Sequence, residues 1–536
     1  IIPACNIWIH DNRFYFSEHL FREIKYCFRS FSRLTLRFHD SLYPFHYYFS
    51  LGYLKCHITV KNGYLMTTDS PIALDNRLFK QIPGPKGSFL LGNLSDFKLE
   101  KIHSFLQGTA QNYGSLSRIR LANQHAIILS NPDTVQQCLK RRPDAFKRYS
   151  AIETVFSEMG IEGVFSAEGE KWKRHRELIM PAFKPAQIKA FYPILDKFSK
   201  RLNQALSLET SSKTTKRSVD IQAIFKNYTT DITTKLAFGV DTDCLGNQES
   251  ELRDSLNKVF PITNQRLKSP FPYWRFFKLR QDREFESAIK TVKLHLSTYI
   301  SNAQIKLAQD PEPSNILESM IIATNDEGDQ FSEAELLGNA ITILLAGEDT
   351  TANTLAWTIH FLASNPEIQT AIQKEIDDAL NSETLSFDQL DDFPLTFAAA
   401  QEAIRLMPVA PLMYMENIQD EIIEGHHIPA GTLIFMLLNH ESTNPELFEN
   451  PEQFNPQRWL DLSSEQKRTN SKVLMPFGAG ARLCPGRLLS FIEMKSALIT
   501  VLKQYTFSHH NGEDNTVDSF EFTLVPKGLR VNIERR

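Results

Sequence analysis

A mainly helical body carrying small β-sheets is the fold class this sequence predicts, and three observations predict it. Helical periodicity, broken by polar or proline-containing loops such as LAQDPEPSN (307–315), runs from about 165 to 405. Within it, Ser332 precedes EAELLGNAITILLAGEDTTANTLAWTIHFLA, a proline-free run apolar nearly all round in its middle, and so long an apolar helix has to pass through the centre of a large body. Strand-like segments are short and scattered, with no strand–helix alternation of the doubly wound kind.

Taken in chain order, IPGPKG (82–87) is a proline–glycine turn that marks where the main body, 82–536, begins. LSRIRLANQHAIILS (116–130) reads as two short strands, followed by a helix with Asn131 at its cap and Pro132 in its first turn. After the helical stretch, strand-like pieces return at EIIEGHHI (421–428) and GTLIFMLL (431–438). The last is FEFTLVPKGLRVNIER (520–535), which turns at Pro526–Gly528.

Residues 1–81 form an atypical N-terminal extension crowded with Phe, Tyr and His. In FREIKYCFRSFSRLTLRF (21–38), Phe21, Ile24, Phe28 and Phe31 fall on one helical stripe with Arg22, Lys25, Arg29 and Arg33 beside it. Such a helix either packs on the body or lies on an anionic membrane surface. No apolar stretch is long enough to span a bilayer, so a cytoplasmic, at most membrane-peripheral, monomer is expected.

The 536 residues carry 59 basic and 63 acidic side chains, a net charge of -4, which argues against a nucleic-acid partner. The six cysteines, Cys5, Cys27, Cys56, Cys138, Cys244 and Cys484, are far apart. Without a CxxC or Cys/His cluster, they fit a reducing compartment better than a zinc site or disulfide scaffold.

Five short stretches carry chemistry. FGAGARLCPGR (477–487) sets one thiol among glycines and arginines, which suits a bulky anionic ligand that takes a sulfur donor. AGEDTT (346–351) puts Gly347 and the poor helix formers Asp349, Thr350 and Thr351 in the middle of the long helix. There a threonine hydroxyl can take an i−4 carbonyl and loosen the turn, and an acid beside an alcohol can pass protons. Read alone, the same stretch also fits a solvent-facing patch. EAIR places Glu402 and Arg405 one turn apart, FNPQRW (454–459) holds Arg458 between aromatics, and WKRHR (172–176) puts Trp172 and Arg176 on one helical face.

Together these stretches resemble a cytochrome P450, in family order and spacing, over roughly residues 82 to 535. The resemblance rests on Phe477, Gly480, Arg482, Cys484 and Gly486 of the haem loop, on AGEDT, on Glu402 and Arg405, on NPQRW, and on the Trp-x-x-x-Arg of WKRHR. It implies a haem b domain at 82–536 with the long helix crossing over the haem. It also implies Cys484 as thiolate ligand of the iron, Arg482, Trp172 and Arg176 toward the propionates, Phe477 packed near the thiolate and Gly486 beside it. Asp349 and Thr350 would manage proton delivery.

One departure stands out. Many members carry an Arg or His in the strand after the Glu-x-x-Arg helix, whereas PVAPLMYMENIQD (408–420) offers Tyr414, Met415 and Glu416. That pattern looks more like the class E, fatty-acid-hydroxylase-like branch. The expected activity is a monooxygenase inserting one atom of O₂ into a C–H or double bond of an apolar substrate such as a fatty acid, terpenoid or steroid. Leu412, Met413, Met415, Leu344, Leu345 and Ala346 would line its chamber. Since the chain stops soon after its last strand with no flavin or ferredoxin region, an external redox partner is expected. The alternatives are a reductase-independent haem isomerase or peroxygenase and, more remotely, a non-catalytic haem-binding protein.

Overall fold

Caps and turns set the element boundaries in the computed structural model, which describes residues 7–10, 13–16, 46–51, 54–61, 64–67, 79–210, 218–246, 251–269, 272–380 and 385–536. The chain divides into two units, Ile1–Leu74 and Asp75–Arg536. In the first, strand Ile7–His10 pairs antiparallel with Arg13–Phe16, and His46–Leu51, Leu54–Lys61 and Tyr64–Thr67 form a three-stranded antiparallel sheet. The basic–aromatic helix expected at 21–38 lies outside the described residues.

The second unit runs α1 (Ile102–Tyr113), β1 (Leu116–Leu121), β2 (Gln124–Leu129), α2 (Pro132–Lys140), β3 (Phe146–Arg148), α3 (Ser150–Glu158), α4 (Gly169–Ile179), α5 (Pro185–Thr210), α6 (Ile221–Phe238), α7 (Glu251–Lys268), α8 (Arg280–Gln309) and α9 (Ile316–Ile322). There follow α10 (Glu333–Ser364), α11 (Pro366–Ala379), α12 (Pro394–Leu406), β4 (Leu412–Asn417), β5 (Glu421–Ile423), β6 (His426–Ile428), β7 (Leu433–Leu437), α13 (Ser464–Val473), α14 (Arg487–Gln504), β8 (Tyr505–His509), β9 (Val517–Phe520), β10 (Leu524–Lys527) and β11 (Val531–Arg535). The fold is mainly α with small sheets around a long central helix.

That helix is α10. Ser332 and Glu335 start it with a reciprocal capping box, the Ser332 N–H donating to the Glu335 carboxylate at 2.9 Å. Its buried faces pack on α6, α8, α12, α14 and β8. The turn after Gly347, which the sequence suggests is loosened, is continuous α-helix. Packing explains the glycine instead. A Cβ there would lie 2.5 Å from Thr233 Oγ1 and 2.8 Å from Thr233 Cγ2 on α6, so the absent side chain lets the two helices close.

The largest sheet of this unit has the order β1–β2–β7–β4–β3, all antiparallel except β2 with β7. Hairpin β5–β6 turns through Glu424 (φ 48°) and Gly425 (φ 76°), the two positive φ values that a tight primed turn demands. β8 pairs with β11 and β9 with β10. Leu344 and Leu345 are core residues of the helical body, while Leu412 and Met415 belong to two apolar clusters against the large sheet. Of the chamber residues expected from sequence, Ala346 is exposed and Met413 half-buried.

Candidate active site

The thiol loop hangs between α13 and α14 and is shaped by two close approaches. Gly480 takes φ 71° against α2, where a Cβ would meet Leu139 O at 2.7 Å; only glycine accepts both the conformation and the contact. The Cys484 N–H donates to Phe477 O at 3.0 Å, drawing the loop into a ring. Phe477 stacks edge-on against Phe491 of α14, centroids 5.0 Å apart. Cys484 is exposed, although surrounding protein encloses its thiol on most sides. Surrounding protein raises its thiol pKa, while N–H groups of Gly486 and Arg487 and the charge of Arg176 favour the thiolate.

Around this loop stands a cluster of guanidinium groups. Arg176 of α4 donates to Leu483 O at 2.7 Å, one residue before the thiol. Arg482 lies over the ring of buried Trp172 at 4.4 Å and donates to Glu168 Oε2 at 2.6 Å and Ala167 O at 2.7 Å. Two cations that the sequence did not single out join them. Arg142, 3 % exposed, keeps its Nη2 3.6 Å from Glu168 Oε1. Arg148 of β3 donates through Nε to Phe165 O at 3.1 Å and lies 3.9 Å from the Phe165 ring centre.

Three of these guanidiniums, those of Arg142, Arg148 and Arg482, thus share one nearby carboxylate, Glu168, while Arg176 faces Cys484. Burial, then repulsion from Arg142 and Arg482, brings Arg148 down to about 9, and burial with Arg142 does the same to Arg482. Arg142 Nε and Nη2 and Arg482 Nε are buried without a hydrogen-bond partner among the described residues. Buried donors left unpaired and positive charge left unbalanced call for an anion. A flat ligand with two carboxylates that takes a sulfur donor fits this patch, and haem is such a ligand.

Behind the loop, Glu402 and Arg405 are fully buried. Arg405 grips the carboxylate by two bonds of 2.7 and 2.8 Å; Arg458 Nε and Trp459 Nε1 each add one at 2.8 Å. Burial opposes the charge of Glu402, but these donors hold its pKa below the usual carboxylate range. The remaining guanidinium donors of Arg405 reach Ser442 O, Pro451 O and Gln453 O. What looks in sequence like an i,i+3 surface pair is the knot tying α12 to the segment before the thiol loop.

On α10 the acid and the alcohol point to different faces. Thr350 donates its hydroxyl to Ala346 O at 2.9 Å, on the face where Ala346 is exposed within an otherwise buried stretch. Asp349 is buried toward α6, with Oδ1 2.8 Å from Lys226 Nζ and Oδ2 accepting from Thr523. Asn353 and Gln222 extend that polar chain. Glu348 beside it is buried with Oε2 unpartnered among the described residues, and burial together with the Asp349 charge pushes its pKa up to about 8. No hydrogen bond or ion pair links Asp349 or Thr350 to the thiol loop among the described residues. Near Arg148, Phe156, Phe165 and Phe522 gather from three separate segments, centroids 5.3 to 6.5 Å apart.

Comparison with known proteins accords with this geometry. The family model described as Cytochrome P450 matches residues 82–533. The chain is 24% identical over 476 residues to Protein LUTEIN DEFICIENT 5, chloroplastic, of Arabidopsis thaliana, covering 85% of this chain and 77% of that protein. It is 27% identical over 450 residues to Cytochrome P450 3A5 of Homo sapiens, covering 80% and 86%. A crystal structure of a cytochrome P450, CYP102L1, superposes with a TM-score of 0.75 at 20% identity, over 85% of this chain and 99% of that one.

Proposed function

This chain belongs to the cytochrome P450 family and is an oxidoreductase of the monooxygenase type, and from that premise we propose that it oxidises an apolar substrate at a haem b held by the residues above. The carrying observation is the pairing of an exposed cysteine with a patch in which three guanidiniums, of Arg142, Arg148 and Arg482, meet one carboxylate. Cys484 is the sulfur ligand of the iron. N–H groups of Gly486 and Arg487 aimed at the sulfur steady its negative charge. Arg142, Arg148, Arg176 and Arg482, with Trp172 beneath Arg482, hold the two propionates.

Bound haem supplies oxygen activation and the electron chemistry of the insertion. The chain's own groups do the rest. Thr350 holds a proton at Oγ1 on the exposed face of α10. Asp349 takes protons from Lys226, whose side chain reaches solvent, and the Phe156–Phe165–Phe522 group keeps water off an apolar substrate.

Fatty acids, terpenoids and steroids are the substrate classes, and Tyr414–Glu416 in place of a strand cation favours the fatty-acid-hydroxylase-like branch. One relative's name, LUTEIN DEFICIENT 5, keeps a terpenoid in view. A separate redox protein delivers electrons to a cytoplasmic monomer. The exposed loop tip, Phe89 at 92% and Leu90 at 77%, supports peripheral contact with a membrane; no helix among the described residues is long and apolar enough to cross one.

The experiment is Cys484→His, purified with haem and reduced under carbon monoxide. The thiolate-type Soret band of the parent disappears if Cys484 is the ligand; its survival in the variant overturns the assignment.

A further inference from the structure

His360 lies near the C-terminal end of α10, His509 ends β8, and Asp514 sits in the connection from β8 to β9. One ligand atom from each lies within 4.8 Å of the other two. His360 Nδ1 is 3.7 Å from Asp514 Oδ1, and His509 Nδ1 is 3.8 Å from the same oxygen. Both separations are too long for hydrogen bonds. His360 is 9% exposed, and its Nδ1 has no hydrogen-bond partner among the described residues.

The protons can be assigned. Ser364 has a single hydroxyl hydrogen, which it gives to His360 O at 3.1 Å. The 2.8 Å contact between Ser364 Oγ and His509 Nε2 therefore needs Nε2–H as donor, which leaves Nδ1 of a neutral His509 as a lone pair. Asp514 Oδ1 accepts the Thr516 N–H at 3.0 Å and faces the same gap. The Asp514 carboxylate, the His509 lone pair and the unpartnered Nδ1 of His360 converge from distant parts of the chain, an arrangement that a cation relieves.

We infer that His360, His509 and Asp514 form a divalent-metal site, with zinc the best fit, that fastens the β8–β9 connection to the end of the central helix. Two imidazoles and a carboxylate suit zinc with water as fourth ligand. Tetrahedral zinc with ~2.0–2.1 Å bonds sets its donors about 3.3 Å apart, so the two carboxylate–imidazole spacings of 3.7 and 3.8 Å have to close by roughly half an ångström. Ser364 acts from outside the ligand set, fixing the tautomer and orientation of His509.

The test uses the full-length, haem-loaded protein washed with chelator. It is titrated with Zn²⁺ against a chromophoric chelator and read at the zinc X-ray absorption edge, which is separate from that of iron. One zinc is expected, with nitrogen and oxygen scatterers at ~2.0–2.1 Å including two imidazoles. Outer-shell changes cost about 10–100-fold in metal affinity; Ser364→Ala should fall in that range, and Asp514→Asn and His509→Gln should exceed it. Zinc should raise the melting temperature of the parent and leave that of Asp514→Asn unchanged. Equal zinc affinity in parent and Asp514→Asn overturns the site. Scattering from sulfur near ~2.3 Å overturns it equally, by putting the ion on cysteines.

Discussion

Arg148 on β3 stands directly across the ladder from Met415 on β4. The neighbouring strand therefore sets a cation opposite the position where β4 carries none, in the same cluster as Arg142 and Arg482. A charge-assisted hydrogen bond is worth about 1.5–3 kcal/mol. Arg148→Gln should accordingly weaken haem retention about ten- to hundredfold, measured as haem transfer to an acceptor protein. Arg141→Gln, at an exposed side chain paired with Glu421, should retain haem like the parent.

Thr350→Ala keeps α10 intact, since alanine is the better helix former. It removes the hydroxyl on the face of Ala346. Product formed per NAD(P)H should fall and hydrogen peroxide release rise in reductase-supported turnover, with little change in substrate binding. Unchanged coupling would take the threonine out of proton handling and favour a peroxide-driven enzyme.

Asp349 is separated from that face and tied to Lys226. Asp349→Asn and Lys226→Met should each slow turnover, by up to the ~10²–10⁴-fold typical of general acid–base groups, while coupling changes less than in Thr350→Ala. A solvent deuterium isotope effect on turnover that differs between parent and Asp349→Asn is the accompanying sign of a proton route.

Glu402→Gln leaves two arginines, one of them 1% exposed, facing a neutral amide. Breaking a buried ion pair costs about 3–5 kcal/mol, so denaturant unfolding should shift to markedly lower concentration. Glu402→Asp should restore little, because the shortened carboxylate cannot reach Arg405, Arg458 and Trp459 together.

Glu348 gives a pH signature. Its folded pKa, raised to about 8, exceeds its unfolded value, so the folded state binds the extra proton between the two. Stability from this group therefore falls as pH rises from ~4.3 toward 8, and levels off above. Glu348→Gln should raise the melting temperature at pH 8.5 by more than at pH 5. An equal gain at both pH values would mean that Glu348 ionises normally.

The parts of the site legible in the sequence are those whose residues sit within one or two turns of each other. Cys484 with Arg482 and Gly486, Trp172 with Arg176, and Glu402 with Arg405 are local patterns, and α10 announces itself by length and its Ser332 cap. Arg142 and Arg148 were hidden because their meaning depends on Glu168 and Arg482, which only the fold brings near. The one clue was the density of cations in RRPDAFKR (141–148). The zinc ligands are hidden for the same reason, since no spacing rule joins residue 360 to 509 and 514. No local signal marks β8, because Tyr505 continues directly from the last residue of α14, with no glycine or proline to mark the change.

The parallel pairing of β2 with β7, Ala126 against Leu433, bears on how the chain is born. A ribosome adding ~5–20 residues per second delivers β2 long before its partner, and on the order of 300 residues must emerge in between. Through that interval the edge of AIIL (126–129) stays open to any strand that meets it. Synthesis of this protein therefore passes through a window in which most of the helices have emerged while its principal sheet cannot close, and chaperone demand should concentrate there.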